Sequence, residues 1–299
     1  LKVASIDLGT NSFLLLVAEV SRGKIVSILE DTIQIVRIGE RVNETCRLQP
    51  QALIRAEACF KDFRHLIDKH GVNNVLACAT SAARDVENAD ELLSLGQKYN
   101  IPIKVISGEE EARLTYLGMI FDRDSKKDVV GLDIGGGSTE LIFQDADRVV
   151  GRSINIGCVR LTEKFISKNP VRTLEQEKLR AYVQKEIQSW EKPQNFKEVI
   201  AVAGTPAALA CVELGISFNA EQVHGVKLTR PIIQKWTAAL AGLSVAERME
   251  KYKMDRGRAD VIIAGAIILD EVAAFLGIGE YTVSVYGARH GLALELSNA

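Results

Sequence analysis

One pattern occurs twice in this chain. Near the start stands Ile6-Asp7-Leu8-Gly9-Thr10-Asn11-Ser12-Phe13, and in the middle stands Leu132-Asp133-Ile134-Gly135-Gly136-Gly137-Ser138-Thr139. Each copy is an apolar run ending in Asp, a Gly-rich turn with a hydroxyl, and a second apolar run at 14–17 or 141–143. Strand, tight loop, strand is a hairpin. Such a turn aims several backbone N–H groups at one anion, because glycine accepts the required φ values and leaves no side chain in the way. The Asp at the strand end can then hold a cation against that anion, directly or through water. A lone turn of this kind is ordinary hairpin chemistry. Here each copy continues into a second hairpin, through Ser21-Arg22-Gly23-Lys24 and through Asp145-Ala146-Asp147-Arg148, so the repeated unit is a meander. Two such loops suggest two half-domains gripping a phosphate chain between them.

The rest of the chain reads as alternating α/β. Strands are predicted over 2–6, 13–20 and 25–35, a helix over 50–70, a strand over 75–79, a helix over 83–99, a strand over 103–106 and a helix over 107–121. A polar break at 122–127 marks the boundary and a hinge, giving domains 1–124 and 125–299. The second half repeats the scheme: hairpins over 129–154, a helix over 174–190, a strand over 198–202 and helices over 206–214 and 230–240. A long apolar helix over 259–276 and a strand over 281–285 follow, and a last helix over 289–298 is free to pack on the first domain. With 299 residues, 47% of them hydrophobic, the chain can bury two mainly aliphatic cores.

A net charge of −2 argues against broad attraction to nucleic acid or to an anionic membrane, so a polyanionic substrate needs a local basic patch. Cys46, Cys59, Cys78, Cys158 and Cys211 have no paired spacing, which suggests neither zinc nor disulfides and fits a reducing compartment. The longest apolar stretch, 261–269, is too short to span a bilayer and is bracketed by Asp260 and Asp270. With no basic segment and apolar run at the start, a soluble, cytoplasmic protein is expected. His65, His70 and His224 lack ligand spacing.

No Gly-rich loop ends in Lys-Ser or Lys-Thr, and the glycines at 135, 136 and 137 lack dinucleotide-fingerprint spacing, so the hairpin cradle stands as the phosphate site. Four segments in order, 5–13, Ala79-Thr80-Ser81-Ala82-Ala83-Arg84, Ser107-Gly108-Glu109-Glu110-Glu111-Ala112-Arg113-Leu114, and Asp133 to Glu140, resemble the exopolyphosphatase / guanosine pentaphosphate phosphohydrolase family. Each hairpin alone would fit any actin-like ATPase domain; the segment at 107–114 is the more specific. The resemblance implies a two-domain actin-like (ribonuclease H-like) α/β fold, with duplicated mixed sheets and the active site in the interdomain cleft. It also implies magnesium-dependent removal of a terminal phosphate from polyphosphate, or of the 5′ γ-phosphate from pppGpp.

The phosphate-binding candidates are Gly9, Thr10, Asn11 and Ser12, with Gly135, Gly136, Gly137, Ser138 and Thr139. Glu111 has a structural reading, since acids in a helix's first turn are favoured by the dipole and Ser107 with Glu110 makes a capping box. Glu109 can face water, and Glu111 lies on a different side of the helix. In the family the matching Glu acts as general base on the attacking water, as hydrolysis requires. Arg84 is either a surface charge or, by resemblance, the arginine whose planar fork meets the transferring phosphate. Asp7 and Asp133 either cap their turns or hold Mg2+ or another divalent cation, Asp133's counterpart being linked to magnesium in the family. Glu140 aligns with Leu14 of the first copy; it lies on a solvated strand face or makes a second metal contact.

Gly204 and Thr205, in Ala203-Gly204-Thr205-Pro206, resemble the adenosine-holding segment of the ATPase relatives, although Gly204 also serves as strand-to-helix punctuation. Tyr286 to Leu292 resembles the family's closing motif, with His290 where an acid is common. A kinase or a nucleotide-switch ATPase is the competing reading, and neither an acceptor site nor a strong adenosine pocket is evident for it. Longer family members dimerise, so a homodimer is one candidate assembly. They also carry further C-terminal helical domains, whereas little follows Leu292 here, so the expectation is that long polyphosphate is released after few cuts.

Overall fold

A meander rich in apolar and β-branched residues opens the computed structural model, which describes residues 1–123, 128–145 and 148–297. The strands are β1 (Lys2–Leu8), β2 (Ser12–Ser21) and β3 (Lys24–Ile35), followed by β4 (Asn74–Ala79) and β5 (Ile103–Val105). β1 and β2 run antiparallel with Asp7 opposite Leu14. β4 lies parallel to β1, and β5 parallel to β4, giving the sheet order β3-β2-β1-β4-β5.

On one face of this sheet the helix Pro50–Lys69 buries Ala52, Ala56, Cys59, Phe60, Phe63 and Ile67, a stripe at three- and four-residue spacing. It meets Ile6, Leu8, Phe13 and Leu15, with the rings of Phe13 and Phe60 stacked at 5.6 Å. On the other face Val3, Leu16, Ala18 and Cys78 pack with Leu114 of helix Gly108–Ile120 and with Leu292 and Ala293 of helix Ala288–Leu296. These two helices touch backbone to backbone. A Cβ on Gly118 would fall 2.0 Å from Gly287 O, and one on Gly291 would fall 1.9 Å from Leu114 O.

The chain divides into two compact units, Leu1–Asp124 with Tyr286–Ala299, and Ser125–Val285. The last helix therefore groups with the first unit, a packing the sequence reading left open, and the second unit ends at Val285 where that reading had run the second domain to 299. The hinge read at 122–127 has residues 124–127 outside the described residues; 146–147 of the second meander turn and 298 of the last helix lie outside them as well.

The second unit holds β6 (Val129–Ile134), β7 (Thr139–Asp145), β8 (Arg148–Ile154), β9 (Glu198–Val202), β10 (Lys227–Thr229) and β11 (Glu280–Val283). Its order, β10-β11-β9-β6-β7-β8, repeats the first sheet from β8 to β11 and adds β10 antiparallel at the edge. β9 is parallel to both β6 and β11. Helix Ile262–Leu276 is buried on all sides from Ile262 to Ala273, which explains a sequence almost wholly apolar, and its two acids, Asp270 and Glu271, both pair with Arg180. No helix among the described residues is long and apolar enough to cross a membrane.

Two differences from the sequence reading have clear causes. The helix expected over 83–99 is two helices, Ser81–Arg84 and Ala89–Lys98. Asn88 breaks it, because its side-chain oxygen accepts from the Leu48 amide at 2.8 Å and its nitrogen donates to Leu48 O at 3.2 Å. Helix Cys158–Phe165 was not foreseen, being short; its buried side chains are Cys158, Val159 and Leu161.

Candidate active site

The two Gly-rich loops are the same turn. Gly9 N–H donates to Ser12 O at 3.1 Å, and Gly135 N–H donates to Ser138 O at 3.0 Å. A Cβ would stand 3.1 Å from Ser12 O in the first and 3.2 Å from Ser138 O in the second, so both positions favour glycine for the same reason.

Different scaffolds hold the two turns. In the first unit the Val36 and Arg37 amides donate to Asn11 O at 3.1 and 2.8 Å, and the Gly39 amide to Thr10 O at 3.0 Å. In the second, Cys158 N–H donates to Gly135 O at 3.0 Å, and the Val159 and Arg160 amides donate to Gly136 O at 3.0 and 3.1 Å. Arg160 Nε donates to Gly137 O at 2.8 Å. In a trans peptide the C=O and the following N–H point opposite ways. Tying these carbonyls to the scaffold therefore turns the N–H groups of Asn11 and Ser12, and of Gly136, Gly137 and Ser138, away from it. Consecutive outward amides form an anion-binding concavity.

Sequence reasoning missed Gly39 and Gly157. A Cβ on Gly39 would sit 2.2 Å from Thr10 Cγ2, and one on Gly157 would sit 2.3 Å from Gly136 O. The available signal was a glycine soon after the third strand of each meander. Thr139 proves to be a brace, since its buried hydroxyl donates to Ile156 O.

Polar contacts made by the neighbouring residues Thr80 and Ser81 lead from the first loop to Glu111. Thr10 Oγ1 and Ser81 Oγ are 2.9 Å apart, both buried, and the adjacent Thr80 hydroxyl bonds the Glu111 carboxylate. Arg84 Nη1 donates to Glu111 Oε2 at 2.9 Å and to Ile106 O at 2.8 Å. The three successive acids separate as their helix positions require. Glu109 is exposed, Glu110 pairs with Lys104 at 2.6 Å, and Glu111 turns to Arg84. Ser107 caps the helix by accepting from Glu110 N–H at 3.1 Å, while the Glu110 carboxylate goes to Lys104, so only the hydroxyl half of the expected capping box forms. Burial raises the Glu111 carboxyl above its ordinary 4.5, against the opposing pull of Arg84 and Thr80. A carboxylate raised toward the working pH is a better base.

Asp133 stands directly opposite Glu140 across β6 and β7, the register position held by Asp7 and Leu14 in the first unit. Glu140 is buried, which removes the solvated-face reading, and its Oε1 accepts from Ser153 Oγ at 2.7 Å. Two carboxylates beside an anion cradle suit a hard divalent cation that takes its other oxygens from phosphate and water. No group of three or more metal-ligating side chains occurs among the described residues.

Gly204 opens helix Gly204–Leu214 directly after β9, as Ser81 opens its helix after β4. A Cβ on Gly204 would meet the Arg258 guanidinium, the flexible end of a side chain, at 1.9 Å, and Thr205 is buried against Gly265. Ala203, just before, has φ of 73°, a strained conformation for a residue with a Cβ. In the closing motif Arg289 forms a two-pronged pair with Asp31 at 2.8 and 2.9 Å, and Ser5 Oγ donates to Arg289 O at 2.7 Å. His290 is buried, its ring 5.9 Å from Phe121 and 4.8 Å from Tyr286.

The sequence profile of the Ppx/GppA phosphatase family matches residues 16–298, nearly the whole chain. The chain belongs to the Ppx/GppA phosphatase family. It is therefore a hydrolase, and its fold is the actin-like fold of that family, with two mixed-sheet α/β domains. It is similar to exopolyphosphatase 2 of Mycobacterium tuberculosis, 32% identical over 315 residues that cover 99% of this chain and 98% of that protein. The crystal structure of the Aquifex aeolicus Ppx/GppA family member matches with a TM-score of 0.82 and 31% identity, covering 99% of this chain and 97% of that one. An exopolyphosphatase-like protein matches with a TM-score of 0.92 and 28% identity, over 100% of this chain and 99% of the other.

Proposed function

We propose that this Ppx/GppA chain is a phosphoanhydride hydrolase that releases the terminal phosphate of inorganic polyphosphate, of pppGpp, or of both. The observation that carries the reading is a set of polar contacts in the first unit, Thr10 with Ser81, and Thr80 and Arg84 with Glu111, which links an anion cradle through the neighbouring residues Ser81 and Thr80 to a half-buried carboxylate of raised pKa. Similarity to an exopolyphosphatase along the whole chain supports polyphosphate as substrate class.

In this reading the outward amides of each loop take phosphate oxygens. Glu111 accepts a proton from the attacking water and orients it in line with the terminal phosphorus. Arg84 keeps Glu111 in place through Nη1; its Nε and Nη2 make no hydrogen bond among the described residues and suit the oxygens of the transferring group. Asp133 and Glu140 would hold Mg2+, which when bound neutralises phosphate charge.

The test is phosphate release from polyphosphate, pppGpp and ATP side by side. Release from either of the first two at rates well above ATP supports the reading. Turnover of ATP alone would replace it with a nucleotide-driven function.

A further inference from the structure

We propose that Arg160 is the positioning residue of the second anion cradle, acting through the carbonyl of Gly137. The inference rests on the reading above for the identity of the anion, a terminal phosphate, and on geometry alone for the cradle. Of the three carbonyls tied back in this loop, those of Gly135 and Gly136 are held by main-chain amides of 158–160, which nearly any residue type supplies. Gly137 O is held instead by a side chain, Arg160 Nε at 2.8 Å. The orientation of the Gly137–Ser138 peptide thus depends on what residue 160 is.

The dependence matters because three successive glycines leave the loop wide conformational freedom. The first-unit loop carries Thr10 and Asn11 where this one carries Gly136 and Gly137, and Thr10 is braced by Ser81 and by close contact with Gly39. Arg160 is half-buried on helix Cys158–Phe165, whose first amides bind the same loop, so its Nε is delivered by a fixed element. With Gly137 O fixed, the Ser138 amide is aimed away from the scaffold and into the cradle. Its guanidinium also places positive charge beside an anion site in a chain of net charge −2.

Side-chain lengths separate donor from charge. Gln carries its amide nitrogen as many bonds from Cα as Arg carries Nε, so Arg160→Gln keeps the donor and removes the charge. Arg160→Lys places a methylene there and keeps the charge; Arg160→Ala removes both. The experiment titrates inorganic pyrophosphate into 15N-labelled protein, follows the amide resonances of Gly136, Gly137 and Ser138, and measures KM and kcat on polyphosphate in parallel. The expected result is that wild type and Arg160→Gln show the amide shifts, while Arg160→Ala and Arg160→Lys bind pyrophosphate at least tenfold more weakly. KM should rise by a similar factor in the last two, with kcat changed less than threefold. Wild-type binding by Arg160→Ala, rescue by Lys but not by Gln, or wild-type amides that ignore pyrophosphate would each overturn the proposal. If polyphosphate is not hydrolysed but the pyrophosphate series behaves as expected, the positioning role stands and the substrate reading falls.

Discussion

Arg84 Nη1 lies 2.9 Å from Glu111 Oε2 and 2.8 Å from Ile106 O, so one guanidinium nitrogen both orients the half-buried acid and anchors itself to main chain. That double use fixes the carboxylate against a main-chain anchor. Glu111→Gln keeps the shape and the Arg84 contact but cannot take a proton. Its phosphate release from polyphosphate should fall by about a hundredfold or more. Binding of a non-hydrolysed analogue, read by calorimetry, should stay within about threefold of wild type, since an effect on binding is not what a proton acceptor supplies. Near wild-type release would remove Glu111 from the chemistry.

The pH profile follows from the direction of the Glu111 shift. Burial raises its pKa above 4.5, and Arg84 and Thr80 lower it. As a base Glu111 works only when ionised, so the acid limb of kcat/KM should lie above the usual carboxylate range. Arg84→Ala removes a lowering partner and should move that limb to higher pH as well as reducing rate. For stability the sign is the reverse. A carboxyl with a raised folded pKa favours the folded state fully below its unfolded value, and this contribution is lost as pH rises through the folded value. Relative to Glu111→Gln, the wild type should therefore lose stability across that window in denaturant titrations; a gain would contradict the shift.

Leu14 shows what the Glu140 position accepts in the same fold. Glu140→Leu should leave the melting temperature close to wild type while raising the magnesium concentration for half-maximal activity severalfold. Asp133→Asn should raise it too. Unchanged magnesium titrations for both variants would take these carboxylates out of the metal site.

The glycines behind the loops give a packing test. A Cβ at 157 would fall 2.3 Å from Gly136 O and 2.5 Å from Gly137 C, both main-chain atoms with no flexible end to yield. Gly157→Ala should cost about 1–3 kcal/mol of stability and raise KM, because the strain falls on the cradle itself. Gly279→Ala, where nothing lies within 4 Å, is the control and should be within about 0.5 kcal/mol of wild type in chemical unfolding.

By itself the sequence determined the duplicated meander, the glycines at 9 and 135, the Asp at each strand end and the amphipathic helix behind the first sheet. All of these are set by neighbours a few residues apart: alternation builds strands, turn chemistry places glycine, and a 3.6-residue period builds a buried stripe. It also put Glu111 on a helix face apart from Glu109 and Glu110. The tertiary structure decided what that face meets. Arg84 is 27 residues from Glu111, and Asp31 is 258 residues from Arg289. Gly39, Gly157 and Arg160, which brace the loops, and Ser153, which reaches Glu140, have no local signature because their partners arrive from other elements. The burial that raises the Glu111 carboxyl and puts Glu140 out of water has the same origin. Local patterns fix which element forms; which side chains share a low-dielectric space is settled only when those elements pack.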